Sequence, residues 1–150
     1  MEAMIYRALS NNKENWLGND QSDFYEIFTH VSLILRSDQR KRVIGIDAVV
    51  ATGQKSKAQL ILQCIQVIGI MFPHTAEKVE LLTKYCDFMW VATHEKFLDD
   101  LRTEFPKGVG IIAINDGGSI HVVRPAIIGD DSGKNNCELA KVLLLKSLAR

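Results

Sequence analysis

The segment from residue 42 to 65, RVIGIDAVVATGQKSKAQLILQCI, constrains the fold of this chain more than any other stretch. It predicts two apolar β-strands, residues 43–51 and 59–67, joined by a short loop that carries Gly53. A single carboxylate, Asp47, lies inside the first strand among residues that favour burial. Because a buried acid without a partner is costly, we expect Asp47 to be either a hydrogen-bonded structural group or one half of a metal or catalytic site.

The composition bounds the class of protein. A chain of 150 residues with 47% hydrophobic content is long enough for one core, so we expect one domain over residues 1–150. Eighteen basic and eighteen acidic residues cancel, so that any charged binding surface must be a local patch. The N-terminus lacks a signal-peptide pattern and no stretch reaches about twenty uncharged apolar residues, which predicts a cytoplasmic protein with no membrane partner.

The cysteines and histidines predict no metal centre. Cys64, Cys86 and Cys137 are widely spaced and odd in number, which is typical of reduced thiols in the cytosol. Cys86 precedes Asp87, a pair that suggests a nucleophile, but a buried thiol at the start of a strand is the commoner case. The four histidines fall on different predicted elements, and no cluster of cysteine and histidine supplies four zinc ligands.

The hydrophobic periodicity predicts an alternation of strands and helices. A charged hairpin turn is expected at 36–42, an exposed loop at 16–23, a tight turn at NDGG (115–118) and a mobile loop at 129–136. The elements are helix 1–9, strands 24–35, 43–51 and 59–67, helix 75–85, strand 87–93, helix 94–105, strands 109–114 and 119–126, and helix 137–148. This order predicts an α/β or α+β fold with a mixed central β-sheet flanked by helices.

The element order, the strand ending in IDAVVA, and the segment KYCDFMWVATHEKFLDDLRTEFPKGVGIIAINDGGSIHVVRPA together resemble the PD-(D/E)XK nuclease superfamily. They are most similar to its small bacterial and phage branch, which includes MmcB-like DNA repair proteins. The resemblance covers most of residues 2–126 and implies a restriction-endonuclease-like fold. It also implies metal-assisted phosphodiester hydrolysis, in which two acids on neighbouring strands hold Mg²⁺ and a lysine stabilises the developing charge.

Carried over to this chain, the resemblance implies a degenerate active site. Asp47 matches the first acid and is the expected metal-binding and catalytic residue. The Glu-x-Lys positions fall on Gln63 and Ile65, so the second catalytic position holds a neutral amide and the lysine position holds no charge. Mg²⁺ is therefore expected only if catalysis survives through relocated groups. The candidates for relocation are a lysine at Lys55 or Lys57, an acid at Glu2, Glu26 or Glu77, and an amide at Gln66.

Three functions are compatible with these observations. The leading hypothesis is a nuclease-fold protein without catalysis that binds DNA or a protein in DNA metabolism or phage and mobile-element defence. The alternatives are an active Mg²⁺-dependent endonuclease with relocated residues, and a protein-interaction module or inhibitor with no nucleic-acid role. The apolar C-terminal sequence VLLLKSL is a candidate homodimer surface. The residues expected to contact DNA phosphates are Arg36, Arg40, Lys41, Arg42, Lys55 and Lys57.

Overall fold

The computed structural model describes residues 2–17, 22–37, 40–69, 73–101, 105–128 and 132–148. Short 3-10 turns occur at Lys55–Lys57 and Glu95–Phe97. The strands are β1 (Phe24–Ser37), β2 (Arg40–Gln54), β3 (Gln59–Ile68), β4 (Phe88–His94), β5 (Gly110–Ile114) and β6 (Ile120–Arg124). The helices are α1 (Glu2–Asn11), α2 (Lys13–Leu17), α3 (Pro73–Leu82), α4 (Leu98–Leu101) and α5 (Ser132–Leu148).

The six strands form one mixed sheet in the order β1-β2-β3-β4-β5-β6. Strands β1, β2 and β3 pair antiparallel, β3, β4 and β5 pair parallel, and β6 returns antiparallel to β5. The connection through α3 is what allows β4 to run parallel to β3, because a parallel pair needs a crossover of a dozen or more residues. The structure thus confirms the predicted α+β class with a mixed sheet flanked by helices.

Helices cover both faces of the sheet, so the core has two layers. On one face, a cluster of buried residues includes Val79 of α3 and Leu139 of α5. On the other face, the cluster includes Leu9 of α1 and Trp16 of α2. Burial on both faces explains why the central strands read as continuous apolar runs rather than alternating ones. No helix in the described ranges has the length and hydropathy that crossing a membrane requires.

The short helix α2 occupies part of the segment that the sequence predicted as an exposed loop. Trp16 is 5% exposed, its indole Nε1 donates to the Leu9 carbonyl oxygen at 2.9 Å, and its ring meets Trp90 edge-on at 5.8 Å between centroids. The prediction is therefore wrong for residues 16 and 17, because the burial of one aromatic side chain outweighs the local turn signals. Residues 18–21 lie outside the described ranges.

Several predicted element boundaries also need correction. The predicted mobile loop at 129–136 is wrong for residues 132–136, because α5 begins at Ser132, while residues 129–131 lie outside the described ranges. Ser, Gly and Asn at four of these five positions have low helix propensity, and the segment has no apolar period, so the sequence carries little helix signal there. Strands β1 and β2 extend into the predicted 36–42 turn, as far as Ser37 and from Arg40. The NDGG turn is confirmed, with Gly118 at φ +81°.

The predicted helix at 94–105 is much shorter in the structure. Strand β4 continues through His94, whose Nδ1 accepts a hydrogen bond from the Lys96 amide at 3.2 Å and so caps the following 3-10 turn. Helix α4 then covers only Leu98–Leu101, and residues 102–104 are not described. A side-chain cap of this kind redirects the chain locally, which the apolar period alone does not reveal.

Two glycines on the sheet give a matched test of this packing. A Cβ at Gly110 would lie 2.4 Å from Trp90 Cε3 and 2.6 Å from the Ala126 backbone nitrogen, whereas a Cβ at Gly45 would meet nothing within 4 Å. We expect Gly110→Ala to lower the free energy of unfolding by about 1–3 kcal/mol through overpacking. Gly45→Ala should be neutral or slightly stabilising. Urea unfolding monitored by tryptophan fluorescence measures both, and equal stability of the two variants would contradict the packing described for Gly110.

Candidate functional site

Strand β2 separates from β3 at Asp47, and this point is here called the fork. Pairing between β2 and β3 ends at Ala48 with Ile65. Pairing between β1 and β2 nevertheless continues to Ser37 with Arg40, and β3 stays paired with β4 as far as Ile68. Beyond the fork, residues 31–37 and 40–46 therefore form a two-stranded extension, here called the ribbon. Asp47 lies at the point where the ribbon leaves the rest of the sheet.

The Asp47 carboxylate fills the fork. Its Oδ2 accepts a hydrogen bond from the Val67 amide of β3 at 2.8 Å, and its backbone oxygen accepts one from the Tyr6 hydroxyl of α1 at 2.9 Å. A side-chain oxygen thus replaces the backbone oxygen that β2 would otherwise offer to β3. This satisfies a backbone donor in a half-buried position, which is a sufficient structural reason for an acid in an apolar strand.

Both strands of the hairpin are irregular at the fork. His30, opposite Asp47 on β1, has φ +54°, in the left-handed region that side chains other than glycine adopt rarely. The Tyr6 ring meets the His30 ring nearly at right angles, with 6.4 Å between centroids. Along a regular strand, the residues that face α3 and α5 are two positions apart. At the fork they are three apart, at Phe28 and Val31 on β1 and at Ile46 and Val49 on β2. The pattern of inward-facing residues is therefore offset by one position at the fork on both strands.

The structure does not bring Gln63 next to Asp47. Gln63 is opposite Val50, while the continued register places Asp47 opposite Gln66, about 10 Å further along β3. The Gln63 side chain is 5% exposed, and its Oε1 accepts a hydrogen bond from Trp90 Nε1 at 2.6 Å. Ile65, at the expected lysine position, is fully buried in the core beneath α1. Asp47 and Gln63, which the sequence predicted to form one catalytic centre, therefore lie in different parts of the sheet.

The relocated groups considered from the sequence do not converge on Asp47 either. Lys55 and Lys57 follow the far end of β2, roughly 25 Å along the strand from Asp47. Glu26 is opposite Ala51, four residues away from the fork, and Glu77 is an exposed residue of α3. The side chain of Glu2 is outside the described set. Only Gln66 is adjacent in register to Asp47.

These surroundings do not fit a Mg²⁺ site. Mg²⁺ demands near-octahedral oxygen ligands, usually including one or two carboxylates. One Asp47 oxygen already accepts the Val67 amide, and the neighbouring Gln66, whose buried oxygen has no hydrogen-bond partner among the described residues, supplies a neutral amide where Mg²⁺ favours a second carboxylate. Among the residues that the structure describes, no group of three or more His, Cys, Asp or Glu side chains could hold a metal ion. Strand β3 carries no charged residue at any position.

The six basic residues predicted to contact DNA fall into two groups at opposite ends of β2. Arg40, Lys41 and Arg42 are exposed near the tip of the ribbon. Arg36 pairs with Lys41 in the ladder, although its side chain lies outside the described set. Lys55 and Lys57 are also exposed, but β2 separates them from the tip by about 40 Å. The prediction of one basic surface therefore becomes two separate surfaces.

The thiols have a structural place in the core. Cys64 and Cys86 are buried and reduced, and Cys137 is exposed on α5. The Cys86 thiol donates to the Leu82 carbonyl oxygen at 3.3 Å. Its hydrogen bond with Cys64, burial, and the nearby charge of Asp87 together raise the pKa of the Cys64 thiol well above the ordinary value. A raised pKa disfavours the thiolate, so Cys64 does not have the character of a nucleophile, and Cys86 is a buried thiol as the sequence predicted.

One polar pair was not predicted from the sequence. The His94 Nε2 lies 2.6 Å from Asp116 Oδ1 of the NDGG turn, and its Nδ1 accepts from the Lys96 amide. Because Nδ1 acts as an acceptor, the proton is on Nε2 and points to Asp116. Both ring nitrogens are engaged, so the histidine fastens the β5–β6 turn to the end of β4. The two residues are 22 positions apart, and no sequence pattern indicates their contact.

Comparisons with known proteins support the fold and no more. No protein-family model matches the chain, and no curated protein matches it. Among solved structures, the chain is similar to the SPO1766 protein of unknown function from Silicibacter pomeroyi, with a TM-score of 0.54. The alignment covers 84% of this chain and 76% of that chain at 14% sequence identity. At this identity the likeness concerns the arrangement of strands and helices alone.

The structural role of Asp47 can be tested by two substitutions. Asp47→Ala leaves the Val67 amide without its acceptor, which should lower the free energy of unfolding by about 1–3 kcal/mol. Asp47→Asn retains an oxygen acceptor and should cost less. Urea unfolding measures both, with Asp99→Ala as a control because Asp99 is an exposed acid on α4. Wild-type stability of Asp47→Ala would contradict the role assigned to the carboxylate.

Proposed function

We propose that this chain is a nuclease-fold protein of the PD-(D/E)XK type that has lost catalysis and binds duplex DNA through the tip of the ribbon. The observation that carries this proposal is the exposure of Arg40, Lys41 and Arg42 on a two-stranded extension that stands clear of β3. The order α1, α2, β1, β2, β3, α3, β4, with an acid on the second strand, supports the family resemblance on which the nuclease part of the proposal rests.

Positive charge is concentrated in the segment that forms the tip of the ribbon. Residues 36–42, RSDQRKR, contain four basic residues and one acidic residue, although the whole chain is neutral. Phosphate contacts from Lys and Arg release condensed counterions and supply most of the affinity of non-specific DNA binding. A neutral protein with a basic tip therefore binds DNA in one orientation, with the rest of its surface turned away.

The shape of the ribbon also suits a duplex. The major groove of B-DNA admits a two-stranded β-ribbon. Seven residues in each strand give the ribbon a length of about 20 Å beyond the fork. Helix α5 covers one face, where Leu33 and Ile44 are buried with Leu139 and Leu143. The opposite face is open, because Ser32 and Val43 are exposed.

The absence of charged residues from β3 is the reason for proposing that catalysis is lost. The family mechanism requires an acid and a lysine on the third strand, and β3 offers neither anywhere along its length. Asp47 is retained, but it serves the backbone of Val67. The acid alone supplies neither a second metal ligand nor a cation to stabilise charge on a phosphate.

A pair of charge-matched variants tests DNA binding by the ribbon. Lys41→Ser/Arg42→Ser and Lys55→Ser/Lys57→Ser each remove two exposed cations, but only the first pair lies at the ribbon tip. We expect the ribbon variant to weaken binding of a short duplex and to reduce the slope of log K against log salt by about 0.9 per lost contact. The control variant should bind as the wild type does, and fluorescence anisotropy measures both.

Two outcomes would overturn parts of the proposal. Equal weakening by both variants, or no binding of the wild type at low salt, would remove the ribbon as a DNA contact and favour a protein partner. Plasmid cleavage in Mg²⁺ or Mn²⁺ that disappears in Asp47→Ala would show that catalysis survives. Wild-type protein treated with a chelator is the control for metal dependence.

A protein-interaction role is the second candidate, and one observation favours it. Leu144, Leu145 and Leu148 on α5 are 61%, 68% and 73% exposed, which is unusual for three leucines on one helix. If this face forms a homodimer, sedimentation should show association that Leu145→Glu abolishes. A protein that stays monomeric at high concentration would exclude the dimer. Ser147→Glu, at an exposed position of the same helix, is the matched control because it adds one negative charge without removing a leucine.

A further inference from the structure

A cavity lies between α2 and the sheet, away from both the fork and the ribbon tip. Its volume is about 440 Å³, and it is mostly apolar. Three of the walls are aromatic, formed by Trp16 of α2 and by Phe88 and Trp90 of β4. Val122 of β6 closes another side, and Gln63 of β3 is the buried polar residue that lines it.

The hydrogen bond between Gln63 and Trp90 determines which way the Gln63 amide points. An indole nitrogen can only donate, so the Gln63 atom that lies 2.6 Å from Trp90 Nε1 must be the carbonyl oxygen. The amine, Nε2, is therefore turned away from Trp90. It makes no hydrogen bond with the residues that the structure describes, and it is not one of the fully enclosed unpartnered atoms. Because Gln63 lines the cavity and its oxygen is taken by Trp90, Nε2 is the polar atom of this amide that is left for the cavity.

This arrangement defines the chemistry of a ligand. An aromatic lining favours a planar ring, and Phe88 is the partly exposed aromatic side chain on which such a ring can stack, since Trp16 and Trp90 are only 5% and 4% exposed. The described lining offers a fixed, buried donor from Gln63 and the exposed amide of Asn15, and it includes no charged side chain. A buried donor favours a ligand that brings an acceptor to it. A neutral heterocycle with a ring carbonyl meets all of these conditions.

We propose that this cavity binds a keto nucleobase, whose ring carbonyl accepts a hydrogen bond from Gln63 Nε2. A free glutamine amide recognises adenine by donating and accepting at once. Here the oxygen is already used by Trp90, so only the donor remains. At the position that faces Gln63, a carbonyl, as in hypoxanthine or uracil, is favoured over an amine, as in adenine or cytosine, because two donors that face each other remain unpaired. This inference is independent of the proposed DNA contact at the ribbon.

The chain carries its own reporter for the test. Its two tryptophans, Trp16 and Trp90, both line the cavity. Titration with inosine should quench the intrinsic fluorescence saturably. Adenosine, which differs by an amine in place of the carbonyl, should bind about tenfold more weakly, the effect of one hydrogen bond in a desolvated site. Uridine and cytidine provide the same comparison with a smaller ring.

Variants separate the donor from the cavity. Gln63→Met keeps the side-chain volume but removes the donor, so inosine affinity should fall about tenfold and the preference over adenosine should vanish. Gln59→Met, an exposed glutamine on the same strand, is the matched control. Since Gln63→Met also leaves the Trp90 indole without its acceptor, Val122→Phe is a second variant. It fills the cavity without touching that hydrogen bond and should weaken both nucleosides, and thermal unfolding checks that each variant is folded.

A further titration distinguishes a base within single-stranded nucleic acid from the base of a free nucleoside. Tighter quenching by short oligothymidylate than by thymidine would assign the base to a single strand, and the reverse order would assign it to a free nucleoside. Either order supports binding of a keto base. The proposal is overturned if inosine causes no saturable quenching, if adenosine binds equally well, or if folded Val122→Phe binds inosine with unchanged affinity.

Discussion

The hydrogen bond from the Val67 amide to the Asp47 carboxylate is the contact on which the shape of this sheet depends. It lets β2 leave β3 without exposing an unpaired donor at the centre of the structure. Asp87 has the corresponding role on the other edge of β3, where its Oδ2 accepts from the Leu62 amide at 2.8 Å. Hydrogen bonds to a charged acceptor contribute about 1.5–3 kcal/mol each, so two carboxylates hold the strand where ladder pairing stops.

This use of Asp47 bears on the chemistry that the family resemblance implies. A catalytic acid must offer its oxygens to a metal or a substrate, whereas this one is bonded to the backbone. The adjacent amide of Gln66 and the uncharged β3 add no second acid and no lysine. The hydrogen bond to the Val67 amide gives this carboxylate a structural role that does not depend on catalysis. The fork therefore gives a physical reason for an isolated acid in an apolar strand.

The same fork separates the molecule into regions suited to different ligands. On one side, the ribbon carries exposed cations and is supported by α5 through Leu139 and Leu143. Toward the other end of β2, the sheet is covered by α2, and the space beneath it is aromatic and uncharged. The surfaces proposed here to bind a charged polymer and a neutral ring therefore lie in different places. Gln63 lines the space beneath α2, although its alignment with a family motif suggested a position beside Asp47.

The sequence by itself determined the class of fold and the presence of one unusual acid. The apolar runs of β2, β3 and β5, the NDGG turn and the spacing of α1 and α3 are local signals, so they could be predicted from neighbouring residues. The sequence also indicated that Asp47 needs a partner, because a buried carboxylate is costly in any fold.

Only the tertiary structure decided what those residues contact. The partner of Asp47 is the backbone of Val67, and no side-chain pattern reveals a backbone donor twenty positions away. The register of β3 against β2 places Gln63 three residues from the position opposite Asp47, and the Gln63 side chain contacts Trp90 instead. A difference of a few residues in strand pairing changes the neighbours of every side chain, and the sequence does not specify that register. Helix α2 and the contact between His94 and Asp116 likewise depend on distant residues. Local periodicity thus specified the strands, while long-range pairing specified the sites.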